Sequence, residues 1–131
     1  MLGVALINPL LIIVAGLAGA GVAHIAGFNP HTHELILAAI AALVASEAAL
    51  LPHMLKTEAS PVAAFQAALY GTIIHLLLFL ILGAGILFLL KPNLAFIWWL
   101  MPMYWVTLVG VCSVFIRAMR SPTESTKTAT N

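Results

Sequence analysis

Residues 62–90 read VAAFQAALYGTIIHLLLFLILGAGILFLL, without one Asp, Glu, Lys or Arg. A helix needs about 20 mostly apolar residues to cross a bilayer. This run satisfies that and has length to spare for tilt. Three more mostly apolar runs lie around it: Leu2 to Ile25, Glu34 to Leu51, and Leu94 to Ile116. None alternates polar and apolar residues at period two, which argues against a β-barrel. The expected fold is all-α, a polytopic membrane protein of four transmembrane helices joined by short loops.

The breaks between the runs carry turn chemistry. Gly27-Phe28-Asn29-Pro30 separates the first two spans. Pro52 and Pro61 bracket a loop from His53 to Ser60, and Lys91-Pro92-Asn93 makes a tight connection between the last two spans. Residues 1–116 then form the transmembrane domain. Residues 117–131, rich in Ser and Thr, read as a flexible tail.

Composition agrees. The chain has 131 residues, of which 63% are hydrophobic and 7% charged. Its mean hydropathy is +1.14. A soluble domain carries about 25% charged residues, so this chain lacks the charge to cover a water-facing surface. That argues against a free soluble enzyme, a disordered protein or a nucleic-acid binder. The single cysteine, Cys112, excludes an internal disulfide framework and a CxxC knuckle.

The basic residues orient the spans. With four crossings, the N-terminus, the second loop and the tail share a side. Lys56, Arg117, Arg120 and Lys127 lie there, against Lys91 alone on the other. Both termini are therefore expected in the cytoplasm, with Trp98 and Trp99 in the outer aromatic belt. The first span lacks a basic n-region and exceeds the usual 7–15 apolar residues of a signal peptide, so it reads as a retained helix.

Ionisable and polar residues inside a span are the functional candidates, because burying them is costly. A rise of about 1.5 Å per residue places them by depth. Glu47 falls about 6 Å from the inner edge, level with Gln66, Cys112 and Ser113, with Asn8 in the inner third of its span. Asn8, Ser46, Glu47, Gln66 and Ser113 are thus expected in one polar layer. One reading is a proton or cation site around Glu47. The plainer one is interhelical hydrogen bonding that fixes the bundle. His75 lies about 20 Å deep, near the midplane, with Tyr104 and Thr107 at a matching depth to bond it. A midplane histidine can relay protons or ligate haem, or it can be a neutral imidazole bonded to a neighbouring helix.

His24, His31, His33 and Glu34 are the candidate metal ligands. His-x-His is a weak signal, and Thr32 offers an ordinary helix cap beside it, so no metal or cofactor is expected. No second histidine matches the depth of His75, as a haem held within one chain would require. Cys112 in apolar surroundings is inert. No serine sits in a Gly-x-Ser-x-Gly elbow, and neither a Walker loop nor a His-Glu-x-x-His motif occurs. Enzymatic activity is not expected. Gly16, Gly19, Gly21, Gly83 and Gly85 read as small residues for close helix packing.

Three stretches carry a likeness to a known family. They are Ala49-Leu50-Leu51-Pro52 at the end of the second span, Ala67-Ala68-Leu69-Tyr70-Gly71-Thr72 leading into the third, and Phe96-Ile97-Trp98-Trp99-Leu100 with Tyr104-Trp105-Val106-Thr107-Leu108 and the basic exit Arg117 and Arg120. Over its last two-thirds the chain resembles the bacterial ATP synthase protein I family. It departs from that pattern early in the third span, where His75 is the nearest counterpart of a basic residue. The resemblance implies a small accessory or assembly subunit of a bioenergetic complex in the bacterial inner membrane, partnered by other integral membrane subunits. The implied work is assembly or stabilisation of the synthase rotor ring, or a part in divalent cation uptake. Two alternatives stand beside it: a small oligomeric proton or cation channel or transporter using Glu47 or His75, and a haem- or metal-bearing electron-transfer subunit.

Overall fold

The structure is a computed structural model that describes residues 3, 6–55 and 60–129, with 121–129 as backbone only. All its regular elements are helices: α1 Ile7–Ile25, α2 Thr32–Ala49, a short α3 Leu51–Leu55, α4 Pro61–Leu90 and α5 Ala95–Ala129. Four stretches are long and apolar enough to cross a membrane: Ile7–Ile25, Thr32–Leu55, Pro61–Leu90 and Ala95–Arg120.

Local chemistry explains where the helices begin and end. Ser60 caps α4, its hydroxyl accepting a 3.1 Å hydrogen bond from the Ala63 N–H. Pro61 follows at the first helical position, where its missing N–H costs nothing. The α4 C-cap is Lys91 in the left-handed region, φ 46°, and Pro92 stops the helix there.

Four boundaries differ from the sequence expectation. His31, also left-handed at φ 47°, is the N-cap of α2, and Thr32 is already helical with no capping bond. Asn29 explains this: its Oδ1 accepts from the His31 N–H at 3.0 Å and shapes the turn instead. At the other end Pro52 does not end the second span. It lies in the first turn of α3, where an absent N–H is tolerated, and His53 and Met54 both donate to the Leu50 carbonyl at 3.0 and 3.1 Å. His53 is therefore helical rather than a loop residue. In the last span, α5 continues past Ile116 to Ala129, over most of the expected tail. The fourth is the start of α1 at Ile7, later than the expected Leu2; residues 1, 2, 4 and 5 lie outside the described residues, as does Lys56.

α2 and α5 pack together at the centre, with α4 and α1 on opposite flanks of the pair. The chain alternates direction. Gly71 near the start of α4 meets Ala49 at the end of α2 and Phe115 late in α5, whereas Gly19 late in α1 meets Trp99 early in α5. The buried face of α2 is Leu35, Ala38, Ala41, Ala42, Ala45, Ser46 and Ala49. In lipid the hydrophobic effect gives little drive for helices to associate, and close backbone approach with dense dispersion contact takes its place. A face built almost wholly of alanine permits that approach.

Two glycines mark the tightest crossings. A β-carbon at Gly71 would strike the Ala49 carbonyl oxygen and the Phe115 ring, and one at Gly110 would strike the Asn8 side chain. Neither is among the glycines expected from spacing. Of those that are, Gly19 lies 2.7 Å from Trp99 as measured to an added β-carbon, while Gly21 and Gly85 face open space.

If the alanine face sets the helix spacing, bulk there must be felt. Ala45→Leu should cost about 1–3 kcal/mol through overpacking. Val44→Leu, one residue round the helix and 48% exposed, should stay within about 0.5 kcal/mol. Denaturation of the two variants in the same detergent measures both.

Candidate functional site: a buried histidine in an aromatic cluster

His75 lies midway along α4, and its exposure is 0%. The helical repeat brings it there. The buried stripe of α4 runs Ala64, Ala67, Gly71, His75, Phe79, Gly83, in steps of three and four that follow one face. The imidazole stacks on Tyr104 of α5, with centroids 5.4 Å apart and planes 18° apart. Phe79, one turn along α4, lies 5.9 Å from the imidazole and 5.0 Å from Tyr104, so the three rings form a compact triangle.

The polar contact suggests an assignment of the histidine's tautomer. Thr107 Oγ1 lies 2.8 Å from the Met103 carbonyl and 3.1 Å from that of Tyr104. A hydroxyl has one proton to give, and these carbonyls take it. The 3.1 Å contact between His75 Nε2 and Thr107 Oγ1 therefore has Nε2–H as donor. That leaves the proton-free nitrogen, Nδ1, buried with no hydrogen-bond partner among the described residues. The cluster is thus an imidazole held by one hydroxyl and two rings, with its second nitrogen unpartnered among the described residues. His75, Tyr104 and Thr107, expected at one depth, do meet.

The expected polar layer near the inner end does not join up. Asn8 is fully buried, but its amide packs against Gly110, and neither its nitrogen nor its oxygen finds a partner among the described residues. Ser46 is also buried, and its hydroxyl donates to the Leu43 carbonyl of its own helix at 3.0 Å. Ser113 does likewise to Val109 at 2.7 Å. Glu47 is half-buried, with Oε1 enclosed and unpartnered among the described residues. Gln66 points outward from α4, one residue off the buried stripe, and leaves the layer altogether. Among the described residues no hydrogen bond links two members of the set.

The candidate metal ligands are scattered in the same way. His24 and His33 are exposed, and His31 and Glu34 half-buried. His33 Nδ1 and Glu34 Oε1 lie 3.9 Å apart. No group of three His, Cys, Asp or Glu residues converges among the described residues. This loop instead serves as an anchor, which sequence reasoning missed. The Trp99 indole N–H donates to the Pro30 carbonyl at 2.8 Å, tying the α1–α2 turn to the start of α5. The available signal was that a buried indole seeks an acceptor.

Comparisons with known protein families, curated proteins and solved structures return no match to this chain.

The histidine cluster makes a quantitative prediction. Thr107→Val leaves Nε2–H without its acceptor and should cost about 1–3 kcal/mol. His75→Phe removes the donor as well, so the double variant should be less destabilised than the sum of the two single changes, with a coupling of about 0.5–3 kcal/mol. A double-mutant cycle on thermal or denaturant unfolding in detergent reads this directly.

Proposed function

We propose that the chain is a small multi-pass membrane protein that works by packing. In this reading it is an accessory or assembly subunit of a larger bioenergetic membrane complex. The observation that carries the reading is how the polar interior is used. His75, Thr107, Ser46 and Ser113 bond within or between the bundle's own helices, while the outward faces are apolar. α1 is the clearest such face: Leu10, Val14 and Leu17 are 63%, 56% and 71% exposed. Such a face suits the surface of another membrane subunit as well as it suits lipid.

The narrower form of the proposal follows the likeness to ATP synthase protein I. It assigns the chain to the bacterial inner membrane with both termini cytoplasmic, and makes the synthase rotor ring the partner. Arg117 and Arg120 at one end of the bundle and Lys91 at the other support that orientation through the charge rule. Mild-detergent purification of the tagged chain from its native membrane tests the proposal. A synthase or respiratory subunit should co-purify in fixed ratio, and recovery of the chain alone would overturn the assignment.

One observation favours a second reading. Glu47 Oε1 and His75 Nδ1 are enclosed polar atoms with no hydrogen-bond partner among the described residues, and intramembrane groups of this kind serve proton and ion paths. On this reading the protein is an oligomeric proton or cation channel. Vesicles holding the purified chain should then show a cation or proton flux that disappears with Glu47→Gln or His75→Ala. The packing role predicts no flux from the unaltered protein.

A further inference from the structure

Where α4 and α5 diverge on the outside of the bundle, they leave a groove of about 410 Å³. On α4 its wall is Leu76, Leu80, Ala84 and Leu87, spaced four, four and three residues along one helix face. Lys91, four residues past Leu87, is the left-handed cap that ends the helix there. At about 1.5 Å per residue, the stretch from Leu76 to Leu87 is about 16 Å long. Half of a hydrocarbon core about 30 Å thick is about 15 Å. The groove therefore matches the depth of one leaflet, and runs from Tyr104 to Leu87, toward the turn that holds the only Lys or Arg at that end of the bundle.

Lys91 itself is exposed and sits in the left-handed conformation, φ 46°, which glycine occupies without strain and a lysine does not. The exposed Asn93 lies two residues on in the same turn, and its side-chain amide is a further donor at that end. An apolar channel one leaflet deep, ending in a cation and an amide, matches the shape and charge of one lipid class. We propose that the groove binds one acyl chain of an anionic phospholipid, with the phosphate held at Lys91. The inference rests on the helices crossing a bilayer, as proposed above.

Native mass spectrometry of the full chain in neutral detergent, titrated with phosphatidylglycerol or phosphatidylcholine, tests it. One phosphatidylglycerol should be retained in preference to phosphatidylcholine. Lys91→Gly suits the left-handed turn, so it removes the charge without disturbing the fold. It should weaken phosphatidylglycerol binding about fivefold, the factor expected for one cation near an anionic headgroup, and erase the preference. Ala84→Phe fills the groove and should abolish retention of either lipid, with helix content unchanged by circular dichroism. Equal retention of the two lipids by the unaltered chain, an unchanged preference in Lys91→Gly, or lipid retained by Ala84→Phe would each overturn the site. So would loss of a co-purifying protein in Ala84→Phe, which would make the groove a seat for a partner helix. Failure of the bilayer reading is seen separately, as a chain that stays in the aqueous fraction without detergent.

Discussion

Everything in this structure depends on how closely α2 lets its neighbours come. A bilayer gives two apolar helices little reason to prefer each other over lipid. Ala38, Ala42, Ala45 and Ala49, all at 0% exposure, remove the bulk that would keep α4 and α5 at a distance. Where the approach is tightest, the neighbouring helix has no β-carbon: Gly71 lies on the carbonyl of Ala49, and Gly110 on the side chain of Asn8. The contacts made there are numerous and short, and their dispersion energy adds up. The His75 cluster follows from this spacing. Only with α4 pressed against α5 can the imidazole reach Thr107 and lie on the Tyr104 ring.

The helices themselves were legible in the residues, because runs of about twenty mostly apolar positions have few other structures open to them. The ends were less so. Pro52 resembles a terminator, yet it falls in the first turn of a new helix, and only the neighbouring backbone decides which role a proline takes. His31 gave no sign of its left-handed backbone, which Asn29 imposes from two residues away.

Depth and direction account for what happened at the sites. The axial rise placed Asn8, Ser46, Glu47, Gln66 and Ser113 at one level, but each residue also turns the helix by about 100°. Gln66 and Ala67 are neighbours in height and face different ways, one out and one in. His75, Tyr104 and Thr107 met because His75 lies in the same stripe as Gly71 and Phe79. Serine and threonine brought a second uncertainty, since a hydroxyl that bonds the carbonyl of its own helix is lost to its neighbours. Ser46 and Ser113 spend their protons that way, and Thr107 does too while still accepting from His75. Sequence spacing carries none of that information.

The central claim is that the interior serves the bundle and the outer faces serve a partner. Site-specific photo-crosslinking in native membranes tests it most directly, with the photoreactive residue at Leu17 on the outer face of α1 or at Ala45 inside the bundle. The account predicts that Leu17 yields an adduct with a larger membrane subunit while Ala45 yields only links within the chain. A chain that links to no other protein from Leu17 and the rest of the exposed α1 face would contradict it.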